Sequence, residues 1–449
     1  MKTYLLILFL VFPLFSYTQH WDSLGLGTDR EIKSLYSDDD NDELYVTGNF
    51  MLAGGDTVSC IAMWDGTQWN KLDKGAFRAV PQSHCSPVFG VTKYQGSIYA
   101  TGQFFEAKMA FARWNGITWD SITSFDGAIT QFMEYQNELY VNGVFSGIDT
   151  IDAWGIAKWD GQKWSAIDTT HWNGHGIYTS TVYNGELYIG GNFWNDDESI
   201  VDLAKFNGTT WEAVDNYPYQ GASSAVNELL EYKGRLYVIG TFEQPDFPGN
   251  SIIAWDGSTW DDLNGGLSPY SGASVFDAHI HNDKLYVGGG FLGAGDIPAT
   301  ALAIWDDTTW CALGTSFTNG ITAFETYKDD LIIAIGYGLI DSVNYNHIAR
   351  WVGGDYLDTC STILSSIEDI ETTSYVNIYP NPVTDILHID TDIDEVFNVE
   401  ILSITGQRIF IQNDYNQYDE LNISSLPAGI YFIRIFNEKH RTIKKIVKH

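Results

Sequence analysis

Residues 61–69 read Ile61-Ala62-Met63-Trp64-Asp65-Gly66-Thr67-Gln68-Trp69, and the phrase decides the fold because it recurs. Its centre returns around Trp114, Trp159, Phe206, Trp255, Trp305 and Trp351, seven copies spaced 45 to 50 residues apart. A second phrase, Leu44-Tyr45-Val46-Thr47-Gly48-Asn49-Phe50, stands before the first copy. It returns at Ile98, Leu139, Leu187, Leu236 and Leu285 and, degraded, at Leu331. Self-similarity at such a period marks a unit that buries its apolar faces only by stacking on copies of itself.

Each unit reads as four strands, a to d. Strand a alternates, as in Ile321-Thr322-Ala323-Phe324-Glu325-Thr326-Tyr327. A tight turn follows at Asn184-Gly185, Lys233-Gly234, Asn282-Asp283 or Asp329-Asp330, where Asn and Gly tolerate the positive φ of a two-residue hairpin. Strand b is the Leu-Tyr-Val phrase with its glycines, and strand c is Ile-Ala-x-Trp. Asp-Gly or Asn-Gly then turns into strand d, which carries the second Trp. Four antiparallel strands repeated seven times predict a seven-bladed β-propeller over 19–360, with the strand-d Trp packed between blades. The seventh copy, Trp351-Val352-Gly353-Gly354, lacks its turn and second Trp, and Trp21-Asp22-Ser23-Leu24 is a strand-d phrase with no unit before it. The two halves complete one blade, which clasps the ring and removes two open sheet edges.

With 24 Lys and Arg against 58 Asp and Glu, the formal charge is −34. Such a chain repels phosphate backbones and anionic lipid, so nucleic acid and membrane surfaces are excluded as partners. Lys2, the apolar run Leu5 to Phe15 and Ser16-Tyr17-Thr18 compose a secretory signal peptide over 1–18. No later stretch is long and apolar enough for an integral membrane segment. The four Cys of an exported chain are expected in disulfides. Of the three connectivities, the placement of their loops favours Cys60–Cys85 and Cys311–Cys360.

After Cys360 the Trp cadence stops, and 361–374 reads as a linker. Seven short strand-like runs within 375–449 predict an Ig-like β-sandwich. The wording is more specific: Asn377-Ile378-Tyr379-Pro380-Asn381-Pro382, Leu387-His388-Ile389, Gly406, Leu426-Pro427-Ala428-Gly429-Ile430-Tyr431-Phe432-Ile433-Arg434 and Lys444-Lys445-Ile446-Val447. This segment resembles the type A sorting domain of the type IX secretion system. The resemblance implies a Bacteroidota-type exported protein, secreted or held at the outer cell surface, with the secretion machinery as a partner. Its sorting signal would comprise Pro380, Asn381, Pro382, Gly406, Gly429, Tyr431, Arg434, Lys444 and Lys445.

The glycines after strand b, followed by an aromatic and a Trp, resemble kelch or galactose-oxidase-type propeller repeats. Such a scaffold hosts many functions. No motif supplies the paired His and Tyr and the Tyr–Cys crosslink of a copper site, so copper is not carried over. Gly288-Gly289-Gly290-Phe291-Leu292-Gly293 imitates a dinucleotide fingerprint, but it ends a strand and opens no helix. The turn acids Asp65, Asp160 and Asp256 alternate with Asn115 and Asn207, which is turn chemistry rather than catalysis; adjacency of Asp and Gly also departs from a sialidase Asp box. Asp38-Asp39-Asp40-Asn41-Asp42 and Asn195-Asp196-Asp197-Glu198 lack the spacing of a Ca²⁺ loop and read as solvated turns. No catalytic residue, metal or cofactor is assigned. Triplets such as Asp56-Thr57-Val58, Asp149-Thr150-Ile151 and Asp341-Ser342-Val343 resemble the O-glycosylation acceptor of Bacteroidota.

The b–c and d–a loops run longer than the turns and emerge on one face, where function concentrates. Trp154, His171, Trp172, His175, Trp194, Tyr217, Tyr219 and Tyr270 fall outside the repeat pattern there and are the candidate ligand contacts. The expected function is a non-enzymatic exported propeller that binds glycan or protein. The alternatives are a secreted glycan-active hydrolase or oxidase with its site among these loops, and a structural surface component.

Overall fold

The computed structural model describes residues 20–72, 87–104, 108–219, 224–242, 250–313, 315, 317–352, 376–391, 397–402, 408–415, 420–424, 426–427, 429–436 and 441–448. The leader at 1–18, Cys85, Cys360, the linker at 361–374 and Gly406 therefore lie outside the described residues. Those residues contain strands and turns and no helix. The chain divides into two compact units, Met1–Cys360 and Ser361–His449.

The first unit holds seven antiparallel sheets in chain order, six of four strands and one, the sixth, that adds the short strand Ile297–Pro298 to its four. Sheet 1 runs Ile32–Asp38, Glu43–Gly48, Ile61–Trp64 and Trp69–Lys71. Strands a of sheets 2 to 7 are Val88–Tyr94, Ala128–Tyr135, Trp172–Tyr183, Ala225–Tyr232, Leu267–His281 and Ile321–Tyr327. Sheet 7 takes its fourth strand from the other end of the unit: His20–Ser23 pairs Ile348–Val352, with Trp21 opposite Trp351 and Asp22 opposite Arg350. The two indoles meet edge-on at 4.9 Å, and Arg350 Nη2 reaches Asp22 Oδ2 at 2.8 Å.

Two-residue a–b turns with positive φ at both positions close six of the seven a–b hairpins, as at Asn184-Gly185 and Lys233-Gly234, which suits strand twist. In sheet 7 the turn is Lys328-Asp329, one residue before the Asp329-Asp330 expected, because Tyr327 pairs Asp330. The c–d connection is longer than a two-residue turn. Trp64 pairs Trp69 across four residues, and Asp65 Oδ1 holds them by accepting from the Thr67 and Gln68 amides at 2.9 Å.

Every strand a carries a bulge at one shared position, and those of sheets 4 and 6 slip elsewhere as well. The shared slip falls between Ile32 and Ser34, and at the equivalent residues of the other six sheets. The bulge pushes a carbonyl towards strand b, and this dictates the recurring strand-b glycine. A Cβ on Gly48, Gly143 or Gly240 would collide with the Glu31, Ala128 or Ala225 carbonyl oxygen.

Neighbouring sheets are tied at three levels. At the bulges, the side chains Thr130, Asn227 and Thr322 donate to the Ile177, Val275 and Ile32 carbonyls of the next sheet. Farther along strand a, tyrosine hydroxyls donate to the next sheet's a–b turn: Tyr94 to Asn137, Tyr183 to Gly234, Tyr232 to Asp283, and Tyr327 of sheet 7 to Asp42 of sheet 1. Asp38 and Lys93, 2.7 Å apart, replace this latch between sheets 1 and 2. At the outside, strand-d indoles donate to carbonyls that follow the previous strand d: Trp69 to Leu24, Trp119 to Leu72, Trp260 to Asp215 and Trp310 to Leu263. Leu24, Ile32 and Val46 share one core with Ala323, Tyr327 and Ile348, so the first sheet packs on the last.

The second unit has a three-stranded sheet, Val376–Tyr379, Ile386–Thr391 and Leu421–Asn422, and a four-stranded sheet. The latter orders Arg408–Tyr415, Phe397–Leu402, Gly429–Phe436 and Arg441–Lys448. Leu387 and Ile389 from one and Val399, Ile433 and Ile446 from the other build a single core.

Candidate functional site

A cleft of about 290 Å³ opens between sheets 3 and 4. Asp126 and Ser146 line it from sheet 3, together with Trp154 in the b–c loop; Trp172, His175 and Ile177 line it from strand a of sheet 4. His175 is the exposed centre of Gly174-His175-Gly176, where the two glycines take φ of +111° and +134°. A Cβ at Gly174 would meet the Asn192 carbonyl oxygen at 2.5 Å, and one at Gly176 would meet Val144 Cγ2 at 2.8 Å. The local slip of register at this Gly-His-Gly step turns the imidazole out of the strand.

The amide of Asn192 fixes the imidazole. Asn192 Nδ2 donates to the Ser224 carbonyl at 2.7 Å, so Oδ1 faces His175 Nδ1, 2.7 Å away, and accepts its proton. In the tautomer so selected, Nε2 is the ring's acceptor. Burial would raise the Asp126 carboxyl, but the Ser146 hydroxyl and the Ser146 and Gly147 amides outweigh it and hold the group below the usual carboxylate range. Asp126 is therefore an ionised acceptor, suited to holding hydroxyls rather than to giving a proton.

His171 stands beside the cleft. Its ring meets Trp154 edge-on at 4.2 Å, and Nδ1 lies 2.9 Å from Asp196 Oδ1. Asn173 Nδ2 donates to the same oxygen at 3.0 Å. These two bonds, His171 first, lower the Asp196 carboxyl. Trp194 is half-buried next to Gly174. The structure thus gathers Trp154, His171, Trp172, His175 and Trp194 in one region.

Three sequence-derived candidates need correction. Trp172 is 7% exposed and packs edge-on against Phe193 and Trp211; it is the floor of the cleft, not a free platform. Tyr217 and Tyr219 are 5% and 1% exposed and belong to the seam between sheets 4 and 5, against Trp260 and Phe242. Both are core residues beyond a ligand's reach. The Tyr270 side chain lies outside the described residues. Asp126 and Ser146, which line the cleft, and Asn192, which orients His175, are the residues that sequence reasoning missed.

The most displaced acids lie elsewhere, half-buried on strands a of sheets 5 to 7. Burial, then the charge of Asp277, pushes Glu228 up to about 8. Burial raises Asp277 to about 7 and Glu325 to about 7. Asp277 Oδ2 accepts from the Phe324 amide of sheet 7 at 2.6 Å, and Glu325 Oε2 from the Ser37 amide of sheet 1 at 3.3 Å. Both bonds join strands. Among the described residues no group of three His, Cys, Asp or Glu side chains could hold a metal ion. In the acidic turn of sheet 1, Lys93 bonds Asp38 and Asp40 and offsets part of the charge. Thr57, Thr150 and Ser342 of the glycosylation-like triplets are exposed.

In the second unit the sorting residues converge. Asn381, between two prolines that follow cis peptide bonds, donates from Nδ2 to the Lys445 carbonyl at 2.8 Å and accepts the Val447 amide at 2.9 Å. Arg434 pairs with Glu400 at 3.0 Å, Tyr431 donates to the Pro427 carbonyl, and Gly429 pairs Lys448. Lys444, Lys445, Pro380 and Pro382 are all exposed.

Residues 377–449 match the secretion system C-terminal sorting domain family. That domain places the protein in the secreted or outer-surface compartment and implies contact with the type IX secretion machinery. No helix among the described residues is long and apolar enough to cross a membrane. No curated protein matches the chain. Among solved structures, the extracellular domain of a one-component system from B. thetaiotaomicron aligns at 12% identity and TM-score 0.47, over 96% of this chain and 59% of that one. The chain thus spans under two thirds of that neighbour. An ulvan-type polysaccharide lyase bound to -[GlcA(1-4)Rha3S]- aligns at 11% identity and TM-score 0.38, over 77% and 98%. At these scores the likenesses decide neither fold nor activity.

Proposed function

We propose that the seven sheets are the blades of a kelch-like β-propeller over 19–360, exported behind a leader at 1–18 and a sorting domain at 375–449. It acts as a non-enzymatic binding module for glycan or protein at the cell surface. The cleft between sheets 3 and 4 is its ligand site, and the half-exposed Trp154 sharing its lining with ionised Asp126 is the observation that carries this reading. Aromatic faces with convergent polar acceptors are what such ligands require. The ties between sheets 7 and 1 support the closed ring. The pairs Cys60–Cys85 and Cys311–Cys360 would staple it; neither described cysteine is a free thiol.

The test is retention of the purified chain on whole cells and on a glycan array, with Trp154→Ala as comparison. Loss of retention in the variant is expected, and equal retention would remove the cleft as the site. Truncation after Ser374 should leave the propeller in the periplasm; normal delivery of the truncated chain would overturn the sorting role.

A further inference from the structure

We infer that the cleft between sheets 3 and 4 takes an uncharged sugar at the end of a glycan and rejects uronate and sulfated residues. This rests on the binding reading above and adds the class of ligand. None of the residues lining the cleft is Lys or Arg. Its one fully ionised lining group, Asp126, is held in the charged form by Ser146 and Gly147. Asp196, lowered by His171 and Asn173, adds a second negative charge at the rim. An anionic sugar would enter this field unpaired, and removing its charge from water without a partner is costly. A neutral sugar meets no such barrier. Its C–H face fits the half-exposed indole of Trp154, and its hydroxyls can donate to Asp126 and to His175 Nε2. Acceptors at Asp126 and His175 match a ligand that arrives with hydroxyl protons. The volume, about 290 Å³, is at the small end for ligand sites, so a chain terminus fits better than a long internal stretch.

The full-length chain is titrated with matched neutral, uronate-containing and sulfated oligosaccharides at low and at physiological salt. Neutral oligosaccharides are expected to bind at both salt concentrations and the acidic ones at neither. His175→Ala, at an exposed side chain, and Trp154→Ala should each weaken binding by about tenfold or more, with circular dichroism confirming that both fold. Asp126→Asn should narrow the gap between neutral and uronate ligands. Preference for acidic oligosaccharides would overturn the ligand class while leaving the cleft as the site. Neutral binding unchanged in His175→Ala and in Asp126→Asn would place the sugar elsewhere and overturn the inference. Binding to no oligosaccharide, with cell retention still lost in Trp154→Ala, would overturn it in favour of a protein ligand. Cell retention indifferent to Trp154→Ala would overturn the binding reading itself.

Discussion

Gly143 shows how one atom sets a constraint on a whole sheet. The bulge in strand a of sheet 3 presses the Ala128 carbonyl where a Cβ on Gly143 would stand. Gly143→Ala must shift backbone, not a flexible side chain, and should cost at the upper end of about 1–3 kcal/mol for overpacking. Gly185, whose added Cβ would meet nothing within 4 Å, is the control for crowding; its positive φ leaves Gly185→Ala a smaller, purely conformational cost of about 1 kcal/mol. Urea unfolding of the two variants reads the difference, and equal midpoints would refute the crowding. Trp172 reverses an expectation. As a loop aromatic it would be nearly free to truncate, but buried against Phe193 and Trp211 it should cost about 3–5 kcal/mol on Trp172→Ala. An unfolding midpoint unmoved by that change would return Trp172 to the surface. A ligand-binding measurement on Trp172→Ala alone therefore confounds site with stability, whereas His175 is exposed and separates them.

At the scale of strands, the sequence made the repeat, the a–b hairpins and the orphan strand legible because each has a residue signature. Asn-Gly demands positive φ, and Trp21-Asp22-Ser23-Leu24 lacks a unit of its own. The bulge was not legible. The residues at that step, among them Lys33, Phe89, Thr130 and Phe276, share no chemistry, because a bulge is a fault in pairing rather than a preference of one side chain. Only its imprint, the strand-b glycine, repeats. The site was legible in part for a similar reason. Trp154, His171 and His175 stand out as departures from the repeat, while Asp126 and Ser146 come from different loops and look like ordinary turn residues. Tyr217 and Tyr219 also depart from the repeat, but pattern alone cannot distinguish a seam from a surface. The clasp carries its own prediction. Trp21 is 5% and Leu24 2% exposed, and deleting residues 20–24 also frees the edge of Ile348–Val352. Loss of at least about 3 kcal/mol is expected from those two side chains, read as a lower thermal midpoint for the whole first unit; an unchanged midpoint would show the clasp to be dispensable.

Across the first unit, the acids most displaced by burial lie on strands a of sheets 5 to 7. Glu228, Asp277 and Glu325 have folded values near 8, 7 and 7, above their unfolded values, so the folded state holds more protons than the unfolded chain. Stability contributed by these groups is present at low pH and falls as pH rises through that window. His279, which burial and then His281 lower to about 4, acts in the opposite sense, but only below its unfolded value of 6.5. The window above 6.5 is therefore the clear one. A fall on the order of 1–3 kcal/mol between pH 6.5 and 8.5 is expected in denaturant titrations, and a flat or rising profile would contradict it. Glu228→Gln should flatten part of the slope. The pairing of the unit's two ends also has a consequence for timing. His20–Ser23 pairs with Ile348–Val352, so strands from opposite ends of the first unit must meet. Contacts so far apart in the chain form slowly, and the first unit is not finished until its last strand has emerged to take its partner.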